Sequence, residues 1–203
     1  MLLARPRAAG QRHDRDQQPE VLGVCRGVFL RPAGDAGLVK VAYERSAEPP
    51  DLLHRARELS SRTIIVDVEP LVAYWDSGQE ALDTGIAEIL GLVGADPGVL
   101  VVCFSTNSDR RPSAVPGGGA AGSGGPRVVY LASAHKPFWI APYRGFPRPG
   151  VVIGDQVATD GILARRLGYT FLHYCPDLAH APAGPRLMND LGRPLESLLF
   201  TRH

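Results

Sequence analysis

Short apolar runs rich in β-branched residues recur along the chain and predict its strands. Runs of this kind, bounded by polar or turn-forming residues, are typical of strands that lie buried in a parallel sheet. They fall at Thr63–Val68, Val99–Phe104, Arg127–Ala132, Val151–Ile153 and, more briefly, Thr170–Tyr174.

The segments between these runs carry the periodicity of helices. One helix is predicted at Asp51–Ser61, and Ser77-Gly-Gln-Glu80 has the spacing of a capping box that opens a second. A third is predicted at Val157–Leu167, closed by Gly168. The second helix presents one apolar face, formed by Leu82, Ile86, Ile89, Leu90 and Val93. Alternating strands and helices predict an α/β, Rossmann-like fold with a mostly parallel sheet, flanking helices and no large cap domain.

The length of 203 residues suits one domain with a full core. We predict a disordered extension over residues 1–20, the α/β domain over 21–176, and a C-terminal extension over 177–203 with a short helix near Leu195–Phe200. Residues 111–126 are rich in proline and glycine, which predicts a flexible loop rather than a helix. Its Gly117-x-Gly119-x-x-Gly122 pattern does not directly follow a strand and open a helix, so it is not a dinucleotide fingerprint.

Charge and cysteine content narrow the function classes. A net charge of +1 gives no basic footprint for nucleic acid. Cys25, Cys103 and Cys175 are scattered without metal-ligand spacing, which argues against a zinc site or a disulfide framework and favours a reducing cytosol. No apolar stretch approaches ~18 residues, so no transmembrane helix is predicted. We expect a cytoplasmic protein.

Acidic residues follow two of the predicted strands. The run at 63–68 leads into Asp67 and Glu69, and Gly150-Val-Val-Ile-Gly-Asp155 is followed by Asp160. Ligands of open α/β sheets bind at the carboxyl ends of the strands. Carboxylates meeting there suit a hard cation such as Mg²⁺, although solvated acids that cap turns or helices would leave the same pattern.

Four motifs in order resemble those of a known family. They are Asp67-Val-Glu-Pro-Leu-Val-Ala-Tyr-Trp-Asp76, the strand ending in Ser105-Thr-Asn107, Lys136-Pro137, and Gly154-Asp-Gln-x-x-Thr-Asp160. The family is the haloacid dehalogenase superfamily, specifically its YqeG-like branch, which includes phosphatidylglycerophosphate phosphatases. The resemblance covers roughly residues 29 to 176, with Phe29–Pro32 and Val39-Lys40 similar to the segment that precedes the first motif. The fourth motif is the specific one, since it matches in full.

The resemblance implies a Mg²⁺-dependent phosphomonoester hydrolase. Asp67 would be the nucleophile, and Glu69 would protonate the leaving oxygen and then activate water. Ser105 would hydrogen-bond a phosphoryl oxygen, Thr106 and Asn107 would contact the substrate, and Lys136 would hold the phosphate. Metal ligands would be Asp67, Asp155, Asp160 and the backbone carbonyl of Glu69. The substrate would be a phosphorylated small molecule or a lipid headgroup, and an open site without a cap would suit a bulky or membrane-surface substrate.

The first motif departs from the family at its centre. Glu69 replaces the second aspartate, Pro70 an asparagine and Leu71 a threonine. One added methylene displaces the carboxyl group by about 1 Å, a shift that can cost roughly 10²-fold in rate. We therefore expect weakened catalysis, and the alternative is a non-catalytic binding or regulatory module that keeps the fold and the metal site.

Overall fold

The computed structural model describes residues 41–94, 96–114, 125–179 and 181–202. Strands and helices alternate along these ranges in an α/β, Rossmann-like arrangement. The strands are β1 Val41–Ser46, β2 Thr63–Asp67, β3 Val101–Ser105, β4 Arg127–Leu131, β5 Gly150–Gly154, β6 Thr170–Tyr174 and β7 Phe200–Arg202. The helices are α1 Pro49–Glu58, α2 Gln79–Val93, α3 Ile162–Leu167 and α4 Ala183–Leu199. A 3₁₀ turn at Ala141–Tyr143 and a wide π-helical turn at Val157–Gly161 complete the list.

The strands form one parallel sheet in the order β4-β3-β2-β5-β6-β1-β7. Alternate side chains of each strand face opposite sides of the sheet and meet different helices. On one side Ile64 and Val66 pack in a cluster with the buried faces of α1 and α2. On the other side Ile65 packs in a cluster with α3 and Phe200. The result is a sheet with a hydrophobic core on each face.

The five predicted strands are confirmed, with ends that shift by one or two residues. The helix predicted at 51–61 occupies 49–58, and the third helix begins as the π-helical turn and continues as α3. Gly168 closes α3 with a φ of 67°, as predicted. In residues 106–114 and 125–149, the Ala141–Tyr143 turn is the only helical segment, which agrees with the low helical propensity of those stretches. No inserted domain that could act as a large cap is found among the described residues.

The capping box predicted at Ser77–Glu80 is wrong. The residue that precedes the first turn of α2 is Gly78, and no side chain caps this end of the helix. The Ser77 hydroxyl instead donates to the carbonyl of Tyr74 at 2.7 Å, because local side-chain to backbone bonds compete with capping. The apolar face of α2 is as predicted for four residues, while Leu90 is only half-buried.

Both ends of the described chain belong to the sheet. No strand was predicted at 41–46, yet β1 pairs with β6 and with β7. At the other end, the short helix predicted at 195–200 is a 17-residue helix over 183–199, and Phe200 starts β7. Residues 183–202, assigned to an extension from sequence, therefore contribute a helix and a strand to the domain. The predictions for residues 1–20, 29–32, 39–40 and 117–122 lie outside the described residues.

Candidate functional site

The order of the strands places two acidic strand ends side by side. From β2 the chain moves to β3 and β4 on one side, whereas β5 and β6 lie on the other side of β2. Such a reversal leaves a crevice at the carboxyl edge of a parallel sheet, where ligands of this architecture bind. Asp67 is the last residue of β2, and Asp155 directly follows β5. The reversal therefore lies between the two carboxylates that the sequence singled out.

Three aspartates meet at this point. Asp67, Asp155 and Asp160 are all buried, and each offers a carboxylate oxygen within 4.8 Å of the others. Asp160 comes from the π-helical turn after β5, and this turn packs tightly against the strand. A Cβ atom on Gly154 would lie 2.5 Å from Cγ of Asp160, so only glycine lets the third carboxylate reach this position. The predicted acidic cluster is confirmed as a buried group that could hold a metal ion.

Lys136 lies at the centre of the cluster. Its Nζ is 2.7 Å from Oδ1 of Asp67 and 2.7 Å from Oδ1 of Asp160, and its side chain is 2% exposed. Burial alone would lower the pKa of Lys136, but the two carboxylates outweigh it and raise the pKa above its ordinary value. The lysine is therefore a permanent ammonium ion that neutralises part of the cluster.

Asn107 holds the backbone of this lysine in place. Its side-chain oxygen accepts a hydrogen bond from the Lys136 amide at 2.7 Å, and its side-chain nitrogen donates to the Lys136 carbonyl at 3.2 Å. The loop after β3 is thereby tied to the loop after β4. Asn107, assigned to substrate contact from sequence, also positions the lysine.

Asp155 is the residue whose charge is least compensated. It is 1% exposed, and neither carboxylate oxygen has a hydrogen-bond partner of normal geometry among the described residues. Burial, followed by the nearby charge of Asp160, raises the pKa of Asp155 to about 8. Burial likewise raises the pKa of Asp67 well above its usual range. An ionised carboxylate without partners is costly in a protein interior, so the cluster favours either protonation or a cation.

Glu69 is held apart from the three aspartates. Thr106 Oγ1 donates to one of its carboxylate oxygens at 2.6 Å, and Ser108 Oγ donates to the other at 3.2 Å. The Arg110 guanidinium lies 4.0 Å from the same carboxylate. The longer glutamate side chain thus reaches toward the loop after β3, where two hydroxyl groups and a cation stabilise its charge.

Ser105 is not among the residues that line the cavity, and its predicted catalytic role stays a prediction. Its hydroxyl is fully buried 2.6 Å from Oη of Tyr143. Thr106 and Asn107, the next two residues, line the open cavity instead. Thr106 lines the cavity although it is as buried as Ser105, and its hydroxyl is bonded to Glu69. Ser105 contributes its backbone carbonyl, which accepts from Lys136 Nζ at 3.3 Å.

The cavity above the cluster has a volume of about 450 Å³. The predicted residues that line it are Asp67, Glu69, Thr106, Asn107 and Lys136. The sequence missed Arg110, Gln156 and the N-terminal part of α4, which contributes Gly184, Pro185 and Met188 to one wall. Gln156 belongs to the fourth motif and was detectable from it, whereas no local pattern connects α4 with the acidic strand ends.

A buried chain of polar groups connects α4 to the cluster from the opposite side. His173 Nε2 lies 2.9 Å from the backbone carbonyl of Asp155, and Nδ1 lies 2.7 Å from Oη of Tyr43. Tyr43 in turn donates to Glu196 of α4 at 2.7 Å. A carbonyl only accepts, so Nε2 of His173 carries a proton. These contacts fix the backbone of Asp155 from beneath.

Comparison of the chain with protein-family models, curated proteins and solved structures gives no match. None of the helices in the described part of the chain has the length and apolar character needed to cross a bilayer. The chemistry of the site therefore has to be inferred from its own geometry: three buried carboxylates, one buried ammonium and an open polar cavity at a strand-order reversal.

Proposed function

We propose that this protein is a Mg²⁺-dependent phosphomonoester hydrolase of the haloacid dehalogenase superfamily, in its YqeG-like branch, with an aspartyl-phosphate intermediate on Asp67. The observation that carries the proposal is Asp155, a buried carboxylate with both oxygens unpartnered beside two further aspartates. Substrates would be phosphorylated small molecules or lipid headgroups, handled in the cytoplasm.

The donor set fits a hard divalent cation. Mg²⁺ prefers carboxylate and carbonyl oxygens and keeps several waters, so few protein ligands are needed. Asp155 and Asp67 would hold it, helped by the backbone carbonyl of Glu69, with Asp160 next to them. When bound, the cation would neutralise part of the negative charge of a phosphate monoester.

Asp67 is the group we assign to attack on phosphorus. It lines the cavity at the end of β2, and Lys136 holds its Oδ1, which leaves Oδ2 to react. An oxygen–phosphorus bond to Asp67 would form as the ester phosphorus–oxygen bond breaks. Burial raises the pKa of the Asp67 carboxyl, and the ammonium of Lys136 opposes part of that rise, which favours the ionised nucleophile.

Glu69 would supply the proton for the leaving oxygen and take one from the water that releases phosphate. Its carboxylate already accepts from Thr106 and Ser108 in this structure. Both carboxylate oxygens of Glu69 are therefore already engaged by hydroxyl donors. Slow turnover is therefore expected, with protonation of the leaving group as the weak step.

The same contacts favour a second candidate, a non-catalytic module that binds a cation and a phosphorylated ligand. Thr106 and Ser108 hold Glu69 away from the aspartate cluster, and Pro70 offers no backbone N–H to a phosphoryl oxygen. The cluster and the cavity would then serve binding alone.

Release of phosphate from 4-nitrophenyl phosphate separates the two candidates. We expect slow release by the wild type that requires Mg²⁺, stops with a chelator and is lost in Asp67→Asn. Asp190→Asn, at a side chain that is 66% exposed on α4, is the matched control and should keep wild-type activity. Activity in Asp67→Asn, or activity that survives the chelator, would refute the mechanism. No release combined with Mg²⁺-dependent thermal stabilisation would support the binding module.

A further inference from the structure

A second cavity, of about 390 Å³, opens beside the carboxylate cavity. The two share a wall formed by Asn107, Lys136, Gln156, Thr159 and Met188. Beyond this wall the second cavity turns apolar, and its lining there includes Pro137, Phe138, Ala158 and Ile162. A ligand that places an anion against Lys136 would therefore have an apolar space directly next to it.

Phe138 is an unusual surface residue. Its side chain is 82% exposed, and the neighbouring Trp139 is 51% exposed. Isolated exposed apolar residues are common, but adjoining aromatic ones at the mouth of a cavity indicate a binding surface. Phe138 follows the cluster lysine by only two residues, so its position is tied to that of the charged group.

The backbone of this wall is fixed. Arg166 of α3 donates from Nη1 to the carbonyl oxygens of Pro137 and Phe138. The amide of Phe138 donates to the carbonyl of His135 at 2.9 Å. These bonds fix the backbone that carries the exposed ring and do not cover the ring.

The facing wall is adaptable. Met188 of α4 is half-buried and lines both cavities. Methionine is flexible and polarizable and makes favourable contacts with aromatic rings. The ring of Phe138, the thioether of Met188 and the guanidinium of Arg166 are groups that contact the face or edge of an aromatic ring well.

We propose that the substrates of this site are monoesters whose leaving group carries a compact apolar ring, seated in the second cavity while the phosphoryl group lies against Lys136. This inference rests on the proposed hydrolase function. The cavity volume falls within the roughly 300–1,000 Å³ of small-molecule sites. Because the two cavities share a wall, the ring and the phosphoryl group of one monoester occupy adjoining spaces.

Phosphonates test the binding step without turnover, because a carbon–phosphorus bond is not hydrolysed. In titration calorimetry with Mg²⁺, phenylphosphonate should bind the wild type roughly tenfold or more tightly than methylphosphonate. Phe138→Ala should reduce that ratio to near one, and Leu92→Ala, a 47% exposed leucine on α2, should keep it. Equal affinities for the two ligands in the wild type would overturn the inference. Hexylphosphonate that binds as tightly as phenylphosphonate would overturn the preference for a ring.

Turnover distinguishes this inference from the function on which it rests. The ratio of kcat/KM for phenyl phosphate to that for glycerol phosphate should exceed ten in the wild type and fall about tenfold in Phe138→Ala. Hydrolysis of both esters at equal kcat/KM would refute the apolar cavity and leave the hydrolase standing. Absence of hydrolysis with a retained phosphonate preference would refute the hydrolase and support the cavity as a ligand site.

Discussion

Replacing Asp155 by asparagine should stabilise the metal-free protein. The substitution keeps the shape of the side chain and removes a charge that is buried without partners. Burial raises the pKa of Asp155 from 3.8 to about 8, so the folded state binds a proton more tightly than the unfolded state. The neutral amide imitates the protonated form at every pH.

The size of the effect follows from the linkage between proton binding and folding. Between about pH 4 and pH 8 the folded wild type holds a proton on Asp155 that the unfolded chain has lost. Its stability therefore falls as pH rises, by up to ~1.4 kcal/mol per pH unit for this group. The asparagine variant lacks this loss. We expect it to be the more stable protein by about 2–5 kcal/mol at pH 8 and by little at pH 4.

Magnesium should offset the stabilisation that the asparagine variant gains over the wild type. A cation that binds only the folded state at a hundred times its dissociation constant adds about 2.7 kcal/mol. For a chain of this length that raises the melting temperature by roughly 5–10 °C. The wild type should gain this increase in millimolar Mg²⁺, and Asp155→Asn should not, because it lacks the unpartnered carboxylate.

Urea unfolding in a chelator across pH 5 to 9, followed by thermal scans with and without Mg²⁺, measures both effects. Asp190→Asn is the control, and as a surface change it should stay within about 0.5 kcal/mol of the wild type at each pH. An asparagine variant that is less stable than the wild type at pH 8, or a stability difference that does not grow with pH, would refute the reasoning from burial. A Mg²⁺ response in Asp155→Asn equal to that of the wild type would show that Asp155 is not a metal ligand.

Two further substitutions test the rest of the site. Lys136→Met leaves two buried carboxylates without their cation and should lower the free energy of unfolding by about 3–5 kcal/mol in chelator, measured by urea denaturation. A loss below 1 kcal/mol would show that the lysine is not the counter-ion of the cluster. Tyr143→Phe should cost about 1–3 kcal/mol, because it leaves the buried Ser105 hydroxyl unpaired, and Ser105→Ala in that background should restore part of the loss. Additive effects on stability in this double-mutant cycle would contradict the hydrogen bond. A loss of phosphate release in Ser105→Ala without a loss of stability would show that this hydroxyl takes part in catalysis.

The strands and the acids at their ends could be predicted from the chain because their signals are local. Every residue of a run such as Thr63–Asp67 is buried, because the strand is covered on both faces of the sheet. The apolar, β-branched composition of the run predicts this burial. Parallel strands share one direction, so residues at their carboxyl ends lie along the same edge of the sheet. The proximity of Asp67, Asp155 and Asp160 needed little more than that rule.

Elements with weaker or conflicting local signals were missed or shortened. The strand at 41–46 was not recognised, because its burial depends on β6 and β7 beside it. Pro194 opposes a helix locally, yet it lies within α4, since the apolar residues of this helix pack on the core beside Phe200. Packing across the sheet decides such segments more strongly than propensity does.

The sequence by itself determined the fold class and the carboxylates at the ends of two strands. The tertiary structure decided which neighbouring groups these carboxylates meet. At the end of β3, Ser105 is bonded to Tyr143, whereas the next residue, Thr106, lines the cavity and holds Glu69. Loops and α4 come from distant parts of the chain. No local pattern therefore predicts that Lys136 lies between two aspartates, that two hydroxyl groups hold Glu69, or that Met188 lines the cavity.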